Sequence, residues 1–231
     1  MYRKDQDFLD FLKKWVEELQ PIKIGETFQH PESVALISVD VINGFCKFGP
    51  LSSPRVDSIV TPIVALFMRA WQAGCRNIVL TQDTHEPDAV EFGAFPPHCM
   101  RGTEEAETVP EIKGLPFYDQ ITVIEKNSID SGLDTGLDAW IAAHPKVHTF
   151  IVVGDCTDLC TYQLAMHLRL TANARQKDWR VVVPENCVDT YDTSMQTATE
   201  IGGYAHPADF FHNIFLYHMA LNGIEVVKEI N

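Results

Sequence analysis

The hydrophobic positions of the chain alternate between the spacing of strands and the spacing of helices. Short apolar runs predict buried strands at 34–39, 77–81, 121–125, 148–153 and 179–183. Amphipathic spacing predicts helices at 4–19, 59–70, 134–143, 160–176, 194–201 and 208–222. Because strands and helices alternate, the pattern predicts an α/β fold with three layers, α/β/α, around a mostly parallel sheet.

The chain contains no internal repeat, low-complexity segment or linker that would divide it into separate domains. Its 231 residues suit one large domain, and we expect a single domain over 1–231. Residues 1–30 are expected to form an N-terminal helical extension. Their amphipathic helix suits packing over the core or against a neighbouring subunit, so a homo-oligomer stays open.

Charge and cysteine content narrow the function. With 18 basic and 32 acidic residues the formal charge is −14, which disfavours a nucleic-acid partner. The chain has no run of about 20 apolar residues and begins without an apolar signal core, so no membrane partner and a cytoplasmic location are expected. Its six cysteines include no Cys-x-x-Cys pair, which favours reduced thiols over disulfides or a cysteine zinc site.

Chemically active side chains follow four of the predicted strands. Asp40, Asp83 and Lys126 follow the first three, and Gly154-Asp-Cys-Thr-Asp-Leu-Cys160 follows the fourth. Taken singly, such residues are commonly helix caps, surface charges or small buried hydrophobes. The carboxyl ends of parallel strands meet at one edge of the sheet, where ligands bind. We therefore expect these residues to share one site.

Cys160 has the setting of a nucleophile. It follows a Gly-containing turn and opens a predicted helix, whose N-terminus lowers a thiol pKa and offers free backbone N–H groups. Those N–H groups can hold the oxyanion of an attacked carbonyl. Asp40 can accept the thiol proton and return it to a leaving amine, with Lys126 stabilising both charges.

The long polar stretch from Asp83 to Tyr118 contains candidate metal ligands: Asp83, His85, Glu91 and His98. Two imidazoles with one or two carboxylates suit Zn²⁺, Fe²⁺ or Mn²⁺ and can leave positions open. By spacing alone, a metal site and a polar loop are equally compatible with this stretch. His206 and His212 are expected to be structural, and Tyr204 and Trp179 to belong to the core or to a pocket rim.

Four segments together resemble the nicotinamidases of the isochorismatase-like cysteine hydrolase superfamily, especially plant-type and related bacterial members. The segments are Val39-Asp-Val-Ile-Asn-Gly-Phe-Cys46, Phe95-Pro-Pro-His-Cys-Met-Arg-Gly-Thr-Glu104, Gly154-Asp-Cys-Thr-Asp-Leu-Cys160 and Ala205-His-Pro-Ala-Asp-Phe-Phe-His212. The resemblance spans about residues 34–220. It implies an isochorismatase-like, Rossmann-like fold.

The resemblance also implies roles for individual residues. The catalytic triad would be Asp40, Lys126 and Cys160. The oxyanion hole would be formed by the backbone N–H groups of Cys156 and Cys160, with a cis Asp155–Cys156 peptide. Metal ligands would be Asp83, His85 and His98, and Glu91 fits the variable fourth position. Substrate contacts would come from Phe45 and Phe95, which sandwich a pyridine ring, and from Leu159.

The implied activity is metal-dependent conversion of nicotinamide to nicotinate and ammonia through a thioester on Cys160, with zinc as the first choice of metal. The chain departs from the common pattern at Ile42, Thr84 and Leu159, where many members carry Gln, Trp and an aromatic residue. Two alternatives stay open: an amidase of the same superfamily acting on another small amide, and a non-catalytic binding protein that keeps the pocket. A dinucleotide-binding oxidoreductase is disfavoured because no Gly-x-Gly-x-x-Gly follows a strand.

Overall fold

Seven strands form one sheet in the computed structural model, which describes residues 3–231, with side chains from residue 5. They are β1 (Val34–Val39), β2 (Asn77–Asp83), β3 (Thr122–Lys126), β4 (Thr149–Asp155), β5 (Arg180–Pro184), β6 (Val188–Asp189) and β7 (Glu225–Val227). The order across the sheet is β3-β2-β1-β4-β5-β7, and β6 pairs with β4. Every pairing between these strands is parallel. The predicted parallel sheet is confirmed.

Helices cover both faces of the sheet. They are α1 (Arg3–Glu17), α2 (Ile24–Thr27), α3 (Asn43–Cys46), α4 (Pro54–Ser58), α5 (Val60–Gln72), α6 (Pro110–Lys113), α7 (Leu137–Ala143), α8 (Cys160–Ala174), α9 (Met195–Ile201) and α10 (Ala208–Leu221). Side chains of β1 alternate between two buried clusters. Leu36 packs with α5, whereas Ile37 and Val39 pack with α7, α8 and α10. This alternation produces the three layers that the sequence predicts.

Each predicted strand and each long predicted helix is present, with ends shifted by a few residues. The pattern missed β6, β7 and the short helices α2, α3, α4 and α6, which are two to five residues long. Elements this short carry too few residues to display a period. Among residues 3–231, no helix is long and apolar enough to cross a membrane.

The N-terminal helix lies on the core of its own chain. Tyr217 of α10 makes edge-to-face contacts with Phe8, Phe11 and Trp15 of α1, with ring centroids 5.2–5.9 Å apart. Two arrangements were expected, packing over the core and packing against a neighbouring subunit, and the structure displays the first. The extent of the domain and the oligomeric state stay predictions.

The middle of the sheet creates the crevice that holds the site. Strand β1 lies between β2 and β4, so the connections on its two sides run in opposite directions. Gly154 of β4 pairs with Val39 of β1 at φ +114°, and a Cβ there would lie 2.0 Å from the Val39 carbonyl oxygen. Glycine is required at this position, and it allows the nucleophile loop to leave β4 close to the end of β1.

Candidate active site

The sheet gathers the predicted triad as expected. Asp40 directly follows β1, Lys126 ends β3, and Cys160 begins α8, which follows β4 by a four-residue loop. Lys126 also pairs in register with Asp83, the last residue of β2. All four residues are at most 7% exposed, and the side chains of Asp40 and Lys126 are fully buried. The carboxyl edge of four adjacent strands thus carries one charged cluster in an apolar surrounding.

Lys126 stands at the centre of this cluster. Its Nζ lies 2.8 Å from Asp40 Oδ2 and 3.6 Å from Cys160 Sγ, and it donates a short hydrogen bond to Asp83 Oδ1. Asp40 Oδ1 accepts from the Asp83 backbone N–H at 2.8 Å. Asp40, Asp83 and Cys160 offer potential ligand atoms within 4.8 Å of one another. The Lys126 ammonium lies among them and would repel a cation, so we interpret this group as catalytic rather than metal-binding.

Burial and charge set the protonation of the cluster. Burial, followed by the Asp83 charge, raises the pKa of Asp40 to about 6. Burial favours a neutral Lys126, but Asp40 and Asp83 outweigh it and raise the pKa of Lys126 well above its usual value. Burial also raises the pKa of the Cys160 thiol well above its usual value, and Lys126 offsets this only in part. This is opposite to the lowering expected from the helix N-terminus, and the resting thiol keeps its proton.

The loop before Cys160 arranges two backbone donors. The Asp155–Cys156 peptide is cis, as expected. Leu159 and Thr161 donate their N–H groups to the Cys156 carbonyl oxygen at 3.0 and 3.2 Å, which holds the turn closed. The N–H groups of Cys156 and Cys160 have no backbone acceptor among residues 3–231. Two donors beside a thiol are the arrangement that an oxyanion requires.

Three of the predicted metal ligands converge beside this cluster. Asp83, His85 and His98 offer ligand atoms within 4.8 Å of one another, and all three are buried. Asp83 Oδ2 lies 3.5 Å from His85 Nε2 and 3.9 Å from His98 Nε2. Glu91 lies farther out, with Oε1 3.9 Å from His85 Nε2 and its side chain 17% exposed. The structure thus forms a compact trio, with Glu91 at its edge.

The imidazoles are oriented as metal ligands would be. Asn127 Oδ1 lies 3.0 Å from His85 Nδ1, and the Pro96 carbonyl oxygen lies 2.8 Å from His98 Nδ1. These acceptors fix the Nδ1 atoms as donors and leave each Nε2 facing Asp83. His85 Nε2 is buried with no hydrogen-bond partner among the described residues. An orphaned ring nitrogen in such a setting fits a divalent cation.

A cavity of about 360 Å³ opens above both clusters. Its floor includes Cys156, Cys160 and Asp83, and its walls include the predicted substrate contacts Phe45, Phe95 and Leu159. The rings of Phe45 and Phe95 lie 5.6 and 6.3 Å from that of His98. Mostly apolar walls around a few polar groups are typical of small-molecule sites.

Other residues complete the site. Tyr204 is 96% exposed and lines the cavity, so it belongs to the rim, as expected. Trp179 packs against Phe150 in the core. Asn127 and Asp155 were not singled out from the sequence, although each directly adjoins a predicted site residue. The sequence could have indicated both residues by their position at the end of a strand, because Asn127 follows Lys126, the last residue of β3, and Asp155 ends β4.

Two further predicted structural residues support the nucleophile loop. His206 is stacked between Tyr191 and Phe211, and its Nε2 lies 2.8 Å from Asp158 Oδ2. His212 Nδ1 lies 2.9 Å from the Thr157 hydroxyl. Both imidazoles therefore hold the segment between Cys156 and Cys160, which agrees with their structural interpretation.

Fold and site together define a parallel α/β hydrolase with a buried thiol–lysine–carboxylate centre. Residues 34–205 match the isochorismatase domain family, and the chain belongs to this family. It is similar to Nicotinamidase 1 of Arabidopsis thaliana, with 29% identity over 98% of this chain and 97% of that protein. The resemblance seen in the motifs is confirmed, as is the prediction of a hydrolase.

Solved structures agree on the fold. A pyrazinamidase/nicotinamidase of Streptococcus mutans superposes with a TM-score of 0.68 at 21% identity, over 84% of this chain and all of that one. A pyrazinamidase of Pyrococcus horikoshii in complex with zinc gives a TM-score of 0.66 at 22% identity, over 85% of this chain and 99% of that one. At identities this low, the two superpositions establish the shared isochorismatase-like fold and no more.

Proposed function

We propose that the chain is a metal-dependent cysteine amidohydrolase that converts nicotinamide to nicotinate and ammonia. One observation carries the proposal: Lys126 joins Asp40 to Cys160, and Cys160 lines the same cavity as Asp83 and His98 of the predicted metal trio. The full-length similarity to Nicotinamidase 1 of Arabidopsis thaliana supports the choice of substrate.

The first half of the reaction forms a thioester. Asp40, whose carboxylate lies within 4.8 Å of the Cys160 sulfur, accepts the thiol proton as the sulfur attacks the carboxamide carbon. Because the resting thiol is protonated, this transfer accompanies substrate attack. The developing oxyanion is held by the N–H groups of Cys156 and Cys160. As the tetrahedral adduct collapses, Asp40 returns the proton to the nitrogen, and ammonia leaves.

The second half releases the acid. Asp40 accepts a proton from a water molecule, the hydroxide attacks the thioester carbon, and the same two N–H groups hold the second oxyanion. Collapse breaks the carbon–sulfur bond, and the proton on Asp40 returns to the sulfur. Lys126 remains charged throughout, since two carboxylates keep its pKa well above its usual value, and it stabilises the sulfur when the proton is absent.

A divalent metal would be held by Asp83, His85 and His98, with Glu91 within reach of the open side. When bound there, it supplies a Lewis-acid anchor for the ring nitrogen of a pyridine. Zinc suits two imidazoles and a carboxylate, and iron or manganese suits them as well. Phe45 and Phe95 both contact the His98 ring, and Leu159 lines the same cavity, so we expect a flat ring to bind beside them.

Ammonia release from nicotinamide tests the proposal. The zinc-loaded enzyme should release ammonia, a chelated sample should lose activity, and re-addition of zinc should restore it. Cys160→Ala should lower kcat by at least a thousandfold with the fold and metal content intact. Cys187→Ala serves as the matched control, since that thiol is buried outside the cavity. Near-normal activity in Cys160→Ala would exclude the covalent scheme.

The two alternatives give different results in the same assay. An amidase for another small amide would release no ammonia from nicotinamide, yet a thiol-reactive probe would label Cys160 and a panel of small amides would reveal its substrate. A binding protein would leave every amide intact. The buried ion pair between Lys126 and Asp40 beside Cys160 favours catalysis over binding alone.

A further inference from the structure

One buried carboxyl in the cavity has no task in the scheme above. Asp155 ends β4, is 1% exposed, and lines the cavity together with Cys156 and Cys160. Its Oδ1 accepts a weak hydrogen bond from the Cys156 thiol, with Sγ 3.8 Å away. Its Oδ2 is buried and has no hydrogen-bond partner among the described residues. A buried oxygen without a partner is unfavourable in a native protein and calls for a ligand or another explanation.

Asp155 lies at the end of the cavity where the amide reacts. Gly154 pairs in register with Val39, and Asp155 and Asp40 each directly follow this last paired position of β4 and β1. Asp155 also directly precedes Cys156, whose N–H is one of the two proposed oxyanion donors. Burial and then the Asp40 charge raise the pKa of Asp155 well above its usual value, which favours the neutral form of this carboxyl beside the general base.

The hydrogen bonds of a primary carboxamide leave one place for this oxygen. Its carbonyl oxygen is directed to the N–H groups of Cys156 and Cys160, and its nitrogen carries two N–H donors. Asp40 can accept from one of them when it exchanges the proton. The other needs an acceptor in a cavity whose remaining walls are mostly apolar.

We propose that Asp155 Oδ2 accepts the second N–H of the substrate carboxamide and makes the enzyme selective for unsubstituted primary amides. This inference rests on the proposed amidase function and adds a substrate-binding residue to it. In its neutral form the carboxyl carries the proton on Oδ1, toward the Cys156 sulfur, so that Oδ2 stays able to accept this bond and the Asp40 carboxylate is not repelled. An alkyl group on the amide nitrogen would leave Oδ2 unpaired and would place carbon against it.

The test compares two ligands in Asp155→Leu. Nicotinamide carries the N–H groups, whereas pyridine-3-carbaldehyde has a hydrogen in place of the nitrogen and can still add reversibly to the Cys160 thiol. We expect kcat/KM for nicotinamide to fall by about tenfold or more, as for loss of one buried hydrogen bond. The inhibition constant of the aldehyde should change by no more than about twofold on the same reasoning.

Three further variants serve as controls for the comparison. Asp155→Asn keeps an acceptor oxygen, so it should recover part of the amide activity that Leu loses. Asp155→Ala makes the same prediction as Leu in the event that the larger side chain prevents folding, which thermal unfolding will reveal. Glu225→Gln changes an acid that pairs with Arg180 and does not line the cavity. The ratio of amide turnover to aldehyde affinity should stay unchanged in that variant.

The outcomes separate this inference from the function beneath it. An equal loss toward both ligands in Asp155→Leu, or no loss toward either, would overturn the role of Asp155 while the amidase function stands. An aldehyde-specific loss would overturn it as well. Absence of ammonia release by the wild-type enzyme would overturn the proposed function, and this inference with it.

Discussion

The two ends of the cavity are built differently. At the reacting end, Asp40, Lys126 and Cys160 come from strand ends and from the first residue of a long helix, and all are at most 7% exposed. At the metal end, Asp83 alone belongs to a strand. His85, Glu91, Phe95 and His98 come from the long connection between β2 and β3, and Glu91 and Phe95 are partly exposed.

This difference in construction fits the different roles that we propose for the two ends of the cavity. The groups that we propose to exchange protons are held at strand ends and at a helix start, where hydrogen-bonded neighbours fix their spacing. Apart from Asp83, the groups that we propose to receive the metal, and Phe95, which we propose to contact the ring, lie on a loop, whose composition can vary without disturbing the strands. We therefore expect substitutions at the reacting end to remove activity and substitutions at the metal end to change affinity by smaller factors.

Lys126→Met should break the reacting end most severely. It removes the ammonium that separates the Asp40 and Asp83 carboxylates, so kcat/KM should fall by about a thousandfold. Leaving two buried carboxylates without their cation should also lower the free energy of unfolding by about 3–5 kcal/mol. Ammonia release and urea unfolding measure the two effects. Lys113→Met, which removes a surface ion pair with Glu107, should cost at most about 1 kcal/mol. Equal effects of the two substitutions would contradict the central place of Lys126.

Asn127→Ala should weaken the metal end without touching a ligand. Asn127 Oδ1 orients His85 through Nδ1, and loss of such a partner commonly lowers metal affinity about 10- to 100-fold. Competition with a chromogenic chelator measures this affinity. Cys160 alkylation should keep its wild-type rate, and Asn173→Ala, an exposed substitution, serves as the control. A loss of thiol reactivity with unchanged metal affinity would show that Asn127 acts at the reacting end of the cavity, which contradicts this prediction.

Phe95→Leu should act on the ring. Replacing an aromatic wall by an aliphatic one should raise KM for nicotinamide about three- to tenfold while kcat stays close to wild type. Steady-state kinetics separates these terms. Phe48→Leu, a half-exposed phenylalanine outside the cavity lining, should leave both unchanged. A fall in kcat without a change in KM would show that Phe95 belongs with the reacting groups.

Asp158→Asn should lower the stability of the protein by an amount that depends on pH. Burial opposes protonation of His206, but its hydrogen bond to Asp158 and the Asp158 charge raise the pKa of His206. A raised pKa in the folded state means that the stabilisation is complete below the unfolded value, about 6.5, and is lost as pH rises through the folded value. Wild type should therefore exceed Asp158→Asn by about 1–3 kcal/mol near pH 6, and the gap should narrow at higher pH. Thermal unfolding from pH 5.5 to 9 tests this, and a gap that widens with pH would contradict it.

Much of the site could be predicted because it follows the strands. Asp40, Asp83, Lys126 and Cys160 each stand at the end of an apolar run or just beyond it, and a parallel sheet brings such positions to one edge. Asn127 and Asp155 share that signal, but an amide after a lysine and an acid at the end of a strand have many ordinary explanations, so the sequence alone did not mark them as site residues. The role of Asn127 depends on the direction of the His85 ring, and that of Asp155 on an oxygen left without a partner.

The sequence by itself determined the parallel sheet, the three layers and the residues at the strand ends. Periodicity and strand direction are local properties that the order of residues carries directly. Only the tertiary structure decided that Lys126 lies between two carboxylates and the thiol, that burial keeps the Cys160 thiol protonated, and that α1 covers α10. These features depend on distances between segments far apart in the chain and on the exclusion of water from them, and no pattern along the sequence encodes either.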